Sequence, residues 1–454
     1  MPEIPVGAQI FDVVFHPTAA ITYTGLLTGR IKAFAYGEQG DSNNLWTIRP
    51  SKRSCRGLAL NEDGSKLYAV GKSKDLYTID TATADIDTRS GAHDCAINRV
   101  KSLMPWTLAT GDDDGTVKLW DPRKRDAVKS YTQHFDYITD FLWLGDKRQL
   151  VATRHVHGDG TLSVMDIRVK KAEVLAQSED QEDELLSIVA IKKNQKFLVG
   201  TQLGMISVFN RKKGWADCVD RIPGHPLSID ALCNIPEGIP DSDATSTVLT
   251  GSSDGFVRVV KILPTKFVGV LADHGDFPVE RIAVGGGVGH LTPSAEAPQP
   301  PTSKVGADLD ADQDAEMEDD LSKPRRWWVG SVGHDETLRL TDLGAFFHEN
   351  TTKSPEDSDE EDSDEEWTGI VSMVAHHDEA RQAAEASKGA LFHTKRQITD
   401  DTDSEEDDAD EAMLETGSQP SKRKRQSEKD SSEPKKPKKG KKESVVDKAF
   451  FDGL

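Results

Sequence analysis

The amino-acid sequence predicts an all-β protein in which seven copies of one hairpin unit close into a seven-bladed β-propeller. The clearest copy reads LATGDDDGTVKLWD and occupies residues 108–121. It is typical of a strand over 108–110, a tight turn over 111–115 and a second strand, Thr116 to Trp120, in which apolar and polar residues alternate. Asp and Gly at such a turn supply local hydrogen bonds and the positive φ that a hairpin connection needs.

The same turn recurs six more times along the chain. The aligned segments read TGLLTGRIKAF, GKSKDLYTID, GDGTLSVMD, TQLGMISVFN, GSSDGFVRVVK and GHDETLRLTD. Successive turns are mostly 40 to 51 residues apart, close to the period of about 40–45 residues of a four-stranded blade. Because one blade cannot bury both of its own faces, seven units predict a closed ring.

The third unit resembles the WD-repeat family, because it ends in Trp-Asp and His93 lies 27 residues before Trp120. In that family a His, a Thr or Ser, the turn Asp and the Trp form a hydrogen-bonded network. The resemblance assigns these roles to His93, Thr110, Asp114 and Trp120. We interpret the network as an anchor of the blade rather than an acid–base pair, since it lies inside the scaffold.

The other blades retain parts of this network. A His and an Asp remain in blades four, six and seven, at His134 and Asp159, His225 and Asp254, and His274 and Asp335. Met165, Val260 and Thr341 stand there in place of Trp, and blades one and five lack the His and have Phe34 and Phe209 at the Trp position.

The hairpin of blade four is a few residues longer than the others and contains His155 and His157. Two imidazoles without a nearby Cys are weak support for a metal site, so we predict a looped-out turn. Blade seven contains a Pro-, Ala- and Asp-rich insertion over 285–325 that we expect to be disordered. Its glycines over 285–289 read as a flexible hinge, because no Gly-Lys-Ser/Thr follows to make a phosphate loop.

Charge divides the chain into a propeller over residues 1–346 and a disordered tail over 347–454. The net charge of −22 is concentrated in acidic runs. These runs cover 308–320, 356–366 and 400–411, and a basic block over 422–442 follows. Such segments repel themselves and bury too little surface to offset the cost of ordering the chain. The strand that closes the ring comes either from the N-terminal segment or from residues after Asp342, and the sequence leaves both open.

The tail contains three groups of residues with expected roles. Two basic clusters resemble a bipartite nuclear-import signal: Lys422, Arg423, Lys424 and Arg425, then Lys435, Lys436, Lys438, Lys439, Lys441 and Lys442. Four hydroxyls followed three residues later by an acid fit phosphorylation by a casein-kinase-type enzyme: Ser358, Ser363, Thr402 and Ser404. Apolar Phe450, Phe451 and Leu454 after a long charged run predict a short docking motif.

The sequence lacks the residues that several classes of function require. We interpret the four cysteines, Cys55, Cys95, Cys218 and Cys233, as small hydrophobes in a reducing compartment, because their spacing is unpaired. The N-terminus does not read as a secretory signal, and no apolar run approaches the roughly 18 residues of a membrane span. No nucleophile elbow, HExxH, paired CxxC or Walker loop is visible. The sequence therefore predicts no enzyme, and no metal, cofactor, membrane or small-molecule substrate is expected.

A ring of side chains near one mouth of the central channel is the candidate partner-binding site. One residue just ahead of each predicted inner strand contributes: Asp12, Arg56, Arg99, Asp140, Ser187, Asp230 and Arg281. The alternative interpretation is that Asp12–Arg56 and Arg99–Asp140 simply pair between neighbouring blades.

Together these segments and the acidic-then-basic tail resemble the nucleolar WD repeat-containing protein 55 family, called jip5 in fungi. LATGDDDGTVKLWDPR over 108–123, GSSDGFVRVVKILP over 251–264 and the closing AFFDGL carry the likeness. The resemblance implies a non-enzymatic nucleolar protein in ribosome biogenesis, with pre-ribosomal or nucleolar assembly factors as partners. Two other classes stay open: a substrate or chromatin adaptor for a ubiquitin ligase, and a direct RNA binder through Lys422 to Lys442.

Overall fold

A computed structural model of the chain describes residues 2–37, 39–132, 137–156, 159–240, 242–286 and 326–352. Across these ranges, 28 β-strands form seven antiparallel sheets of four strands each. The inner strand of each sheet contacts the inner strands of both neighbouring sheets. The predicted seven-bladed propeller is therefore confirmed.

Each of the first three blades is formed by four consecutive strands, ordered from the channel outward. Blade one has β2 (Ile10–Phe15), β3 (Ile21–Leu26), β4 (Ile31–Tyr36) and β5 (Ser42–Ile48). Blade two has β6 (Cys55–Leu60), β7 (Lys66–Gly71), β8 (Leu76–Asp80) and β9 (Ile86–Arg89). Blade three has β10 (Ile97–Met104), β11 (Thr107–Asp112), β12 (Val117–Trp120) and β13 (Ala127–Tyr131).

Blades four to six repeat this order. Blade four has β14 (Ile138–Leu144), β15 (Gln149–Val156), β16 (Asp159–Asp166) and β17 (Ala176–Gln177). Blade five has β18 (Leu185–Ile191), β19 (Lys196–Thr201), β20 (Ile206–Asn210), a 3₁₀ turn (Arg211–Lys213) and β21 (Asp220–Ile222). Blade six has β22 (Ile229–Asn234), β23 (Thr247–Ser252), β24 (Phe256–Lys261) and β25 (Lys266–Asp273).

Blade seven is the one blade assembled from both ends of the propeller. Its three inner strands are β26 (Val279–Gly286), β27 (Trp327–Gly333) and β28 (Thr337–Asp342). Its outer strand is β1 (Glu3–Pro5), which pairs with β28. The N-terminal segment therefore closes the ring and covers the β28 edge that would otherwise be open.

The hydrophobic core lies between the sheets, because each blade buries both faces against its neighbours. One cluster, for example, joins Leu119 and Tyr131 of blade three to Phe141 and Leu150 of blade four. All four side chains are at most 3% exposed. Because both faces are covered, the second strand of a blade is buried along nearly its whole length, as in β11 and β23.

The hairpin of blade four does not loop out, so that prediction is wrong. Strands β15 and β16 stay paired two positions further, with His155 opposite Gly160 and Val156 opposite Asp159. The extra residues therefore lengthen the ladder instead of forming a longer turn. The side chain of His155 and all of His157 lie outside the described part of the chain, and the weakly supported metal site stays untested.

Two predicted boundaries shift. Gly285 and Gly286 belong to β26 and pair with Trp328 and Trp327, so they are not a hinge, and the strand ends two residues inside the expected insertion. The ring also continues past residue 346 into a helix, α1 (Leu343–Thr352). Leu343 and Phe347 of α1 are buried in the core cluster of blades six and seven. The sequence analysis did not predict this helix or its packing on the propeller.

Candidate functional site

The candidate binding ring lies within the inner strands and not ahead of them. Each inner strand carries a β-bulge directly after its first paired residue, where the register to the second strand shifts by one. A bulge adds one residue on one strand and increases the local bend. The residue that follows the bulge is thereby brought to the same place in every blade.

Five of the seven predicted residues occupy this position: Asp12, Arg99, Asp140, Ser187 and Arg281. In blades two and six the position is taken by Gly57 and Ala231. Arg56 and Asp230 are the bulged residues themselves, one place earlier. These two residues therefore stand one place away from the position that the other five share, because a bulge was not visible in the sequence.

The four charged residues at this level form one cluster across the channel. Arg281 Nη2 of blade seven lies 3.6 Å from Asp140 Oδ1 of blade four, and Arg281 Nε lies 3.9 Å from Asp12 Oδ1. Asp12 also accepts the backbone N–H of Leu58 from blade two at 2.7 Å. Opposite sides of the ring are therefore joined through their side chains.

The expected pair Asp12–Arg56 does not form. Arg56 Nη1 donates to Asn98 Oδ1 at 2.7 Å and lies 3.2 Å from Asp113 Oδ1, both in blade three. The guanidinium of Arg99 donates to the carbonyls of Thr139 and Arg56. Blade-to-blade pairing is therefore real. Asp140 attracts Arg99, as the alternative interpretation expects, whereas Arg56 contacts blade three instead of Asp12.

Burial dominates the electrostatics of this cluster. Removal from water raises the pKa of Asp12, and the nearby guanidinium groups of Arg281 and Arg99 oppose that rise. Burial lowers the pKa of Arg99 to about 10, and repulsion from Arg281 adds to the effect. Two acids and two guanidinium groups thus balance one another inside the channel, and a partner-binding role for the ring stays a prediction.

The WD network of blade three forms with a different aspartate. His93 Nε2 lies 2.6 Å from Thr110 Oγ1, and Trp120 Nε1 donates to the same oxygen at 2.8 Å. His93 Nδ1 lies 2.7 Å from Asp112 Oδ2. Asp114, which was the predicted member, is exposed and accepts from Cys95 Sγ at 2.7 Å instead.

The length of the second strand explains this difference. β11 runs through Asp112, which pairs with Ile97 and therefore stands beside the buried His93. The same strand position in blade seven is Gly333, which pairs with Val279 and has no side chain. There the turn residue Asp335 reaches His274 Nδ1 at 2.9 Å, while Ser331 binds the other ring nitrogen at 2.8 Å. Blade seven thus confirms the predicted His–Asp pair.

Blade six keeps only half of the network. His225 Nε2 lies 2.8 Å from Thr250 Oγ1, but its Nδ1 has no hydrogen-bond partner. Asp254 instead forms an ion pair with Arg258, whose Nη2 lies 2.7 Å from Asp254 Oδ2. The predicted His225–Asp254 pair is therefore wrong, because Arg258 competes for the carboxylate. Phe34 and Phe209 fill the Trp position of blades one and five as expected, and both are buried.

The imidazole of His225, whose Nδ1 has no hydrogen-bond partner, makes stability depend on pH. Burial and the nearby Arg258 lower the pKa of folded His225 to about 4 from an unfolded value of 6.5. Below pH 6.5 the unfolded chain takes up the proton first, so stability falls between pH 6.5 and about 4. We expect a loss of about 3 kcal/mol from this residue over that window. Urea denaturation at a series of pH values measures this loss in the free energy of unfolding.

His225→Gln, which cannot titrate, is the matched control for this prediction. The difference in unfolding free energy between the parent and His225→Gln should change between pH 7 and pH 4.5. Carboxylates also titrate in this range, but they do so in both proteins. A difference that stays constant across pH would show that His225 has an ordinary pKa.

The remaining sequence predictions fall partly outside the described residues. His134 and the side chain of Asp159 lie outside them, as do the nuclear-import clusters, the four phosphorylation candidates and the C-terminal docking motif. Cys55 is buried as predicted, and burial raises the pKa of its thiol, whereas Cys95, Cys218 and Cys233 are only half-buried. Over the described ranges no three His, Cys, Asp or Glu residues are placed to hold a metal, and no helix is long and apolar enough to cross a membrane.

The closed ring of four-stranded sheets, with a His–Thr–Trp network in blade three and a His–Ser pair in blade seven, defines a WD-repeat β-propeller. Comparison with known proteins narrows this class. The chain belongs to the WDR55 family, whose model matches residues 1–294. The resemblance seen in the sequence is thereby confirmed. A WD-repeat propeller of this family is a protein-interaction scaffold, and such scaffolds are typically not enzymes.

Relatives from fungi and animals support this assignment. WD repeat-containing protein JIP5 of Coprinopsis cinerea is 65% identical over 456 residues, which cover 100% of both chains. JIP5 of Laccaria bicolor is 57% identical over 83% of this chain and 85% of its own length. WD repeat-containing protein 55 of Mus musculus is 34% identical over 62% of this chain and 70% of its own length.

Proposed function

We propose that the protein is a non-enzymatic scaffold in the nucleolus that acts in ribosome biogenesis, at ribosomal RNA production or processing. Membership of the WDR55 family supports the scaffold role, and the nucleolar resemblance of the sequence supports the setting. The paired basic clusters near the C-terminus fit nuclear import. Partners would be pre-ribosomal or nucleolar assembly proteins, held on a rigid ring.

The observation that carries the scaffold proposal is a strip of exposed apolar side chains on one face. Leu203, Leu227 and Phe277 are 53%, 48% and 49% exposed. Leu203 lies in the β19–β20 turn of blade five, and the other two each stand two residues before an inner strand, in blades six and seven. We call these three residues the apolar strip.

Neighbouring loops bring the members of the apolar strip to the same end of the ring. The β19–β20 turn packs on the loop before blade six, where a Cβ on Gly204 would lie 2.7 Å from the Leu227 carbonyl oxygen. In the same way, a Cβ on Gly255 would lie 3.4 Å from the Phe277 carbonyl oxygen. Exposed apolar side chains that share one face are typical of a protein-binding surface.

Replacing all three members of the apolar strip by Ser is expected to reduce partner recovery about 10-fold or more, since apolar anchors dominate interface energies. Affinity purification of the full chain from nuclei of its own cell, followed by mass spectrometry, measures it. The matched control replaces three exposed residues of the outer strands by Ser: Leu45, Val128 and Val270. Equal recovery from both variants would remove the apolar strip from the proposal.

The same purification tests the nucleolar role. Pre-ribosomal proteins in the wild-type sample are the expected result. Co-purification with a ubiquitin ligase in their place would favour the adaptor alternative. Direct RNA binding through the tail would be favoured if RNA co-purifies with the wild type and is absent when six tail lysines are replaced by Gln. These are Lys435, Lys436, Lys438, Lys439, Lys441 and Lys442. The affinity for RNA should then also fall steeply as salt rises.

A further inference from the structure

The opposite face of the ring carries a concentration of positive charge over blades three, four and five. It comprises the turns between the first and second strands and the loops between the third and fourth strands of these blades. Five of these six connections contain charged residues: 121–126, 145–148, 166–173, 192–195 and 211–217. The sixth, the turn 105–106 of blade three, carries no charge. The five charged segments contain 13 Lys and Arg residues and six Asp and Glu residues, a net charge of +7, in a chain whose net charge is −22. We call this surface the basic arc.

Contacts between the blades show that the basic arc is continuous. Lys129 Nζ of blade three donates to the carbonyl oxygens of Ile167 and Val169 in blade four. Arg211 Nη1 of blade five lies 2.8 Å from Asp146 Oδ2 in blade four. The three blades therefore present their loops as one fixed surface, and little ordering would be needed when a ligand binds.

Most of the acids within the basic arc are already paired, which leaves an excess of free cations. Asp121 and Asp166 are each held by an Arg two residues further on, Arg123 and Arg168. Lys124, Lys170 and Lys213 are exposed, and none of them forms an ion pair with a described residue. One such cation stands in each of the three blades.

An exposed aromatic ring stands at the blade-three end of the basic arc. Trp106 lies in the tight turn between β10 and β11 and is 57% exposed. The guanidinium carbon of Arg123 lies 4.6 Å from the centre of the Trp106 ring. An indole with a stacked guanidinium beside unpaired cations combines the two elements that bind single-stranded nucleic acid, a stacking surface and a phosphate-binding groove or face.

The charge reverses where the basic arc ends. Blade two presents Glu62, Asp63 and Asp85 in its corresponding turn and loop. A polyanion would be attracted to blades three to five and repelled at blade two, which gives the surface a defined edge. At physiological ionic strength the Debye length is about 8 Å, so acids elsewhere on the chain are largely screened.

We propose that the basic arc binds single-stranded RNA through its phosphates, with a base stacked on Trp106. This surface is distinct from the apolar strip and from the basic tail, and the proposal holds wherever in the cell the protein acts. Phosphate contacts supply affinity without sequence selectivity, so binding should tolerate different sequences and depend strongly on salt.

Fluorescence anisotropy of a labelled single-stranded RNA of mixed sequence, titrated with the full chain, tests the proposal. Lys124→Glu, Lys170→Glu and Lys213→Glu together should weaken binding about 100-fold and reduce the salt slope by about 3. Trp106→Ala should weaken binding about 10-fold. The matched control, Arg30→Glu, Lys52→Glu and Lys266→Glu, makes the same change in net charge at exposed sites outside the basic arc and should bind nearly as the wild type does.

Three results would overturn the proposal. The first is equal affinity of the arc and control variants, and the second is a loss of binding only when the tail lysines are replaced by Gln. The third is that the full chain binds no RNA while a synthetic acidic peptide with the sequence of residues 354–366 binds through the basic arc. That last result would assign the surface to an acidic protein segment. Melting curves of each variant exclude unfolding as the cause of a loss.

Discussion

Asp112→Ala is expected to lower the free energy of unfolding by about 4 kcal/mol, because one buried carboxylate holds several groups at once. Asp112 Oδ2 lies 2.7 Å from His93 Nδ1, and Asp112 Oδ1 accepts the backbone N–H groups of Asp114 and Thr116 at 3.1 and 2.7 Å. Both His93 and Asp112 are 2% exposed. Without the carboxylate, the imidazole would lack a partner inside the blade and the β11–β12 turn would lose its two anchors. Equilibrium urea unfolding measures the loss.

Asp114→Ala is the matched control, since it removes the same chemical group two residues further along the same turn. Asp114 is exposed and its partner is the Cys95 thiol, so a change of about 0.5 kcal/mol or less is expected. Asp112→Asn should lose less stability than Asp112→Ala does, because its side-chain oxygen can still accept the N–H groups of the turn. A larger loss from Asp114→Ala than from Asp112→Ala would restore the family's usual assignment.

The number and order of the blades were predictable because the signal for each blade is local. Each unit carries a tight turn between two alternating strands, and the turn chemistry needs only a few neighbouring residues. Gly29, Gly115, Gly204 and Gly255 all adopt the positive φ that the turn predicts, at 74°, 74°, 78° and 87°. Repetition at a near-constant spacing then predicts the ring, since blades without neighbours leave both faces exposed.

The residues of the candidate site were harder to predict because their positions depend on register. In residues 112–114 three Asp follow one another, and only the end of β11 decides which of them meets His93. Arg56 and Asp230 stand one residue before the position that the other five share, because each is itself the bulge. A shift of one residue turns a side chain to the other face of a strand, and periodicity alone does not reveal a bulge.

Contacts between residues far apart in the chain could not be predicted from the sequence, for a related reason. Arg281 and Asp140 meet across the channel only after the ring has closed, and no local pattern encodes that contact. The competition of Arg258 for Asp254 likewise depends on side-chain geometry. The apolar strip and the basic arc follow from topology, because alternate connections of each blade emerge on opposite faces. An alignment of the seven blades that compares the corresponding loop of each blade could have revealed the basic arc.

Deleting residues 2–6 is expected to open the ring and lower the free energy of unfolding by about 5–8 kcal/mol. Ile4 and Val6 are 4% and 3% exposed in the core cluster of blades seven and one, and burial of each contributes about 2–3 kcal/mol. The deletion also removes the hydrogen bonds from Leu340 N to Pro2 O and from Val6 N to Glu336 O. A loss of this size is comparable to the whole stability of many domains.

Opening the ring should have a second effect that distinguishes closure from simple loss of contacts. Without β1, the edge of β28 is exposed and offers unpaired backbone groups to another chain, so the deleted protein should self-associate. Analytical ultracentrifugation together with thermal unfolding detects both effects. Glu3→Gln is the control, because it removes only the exposed ion pair with Arg339 and leaves the strand in place; exposed pairs contribute about 1 kcal/mol or less. If the deleted protein stayed monomeric and unfolded in one transition near the wild-type midpoint, ring closure would not depend on the N-terminal strand.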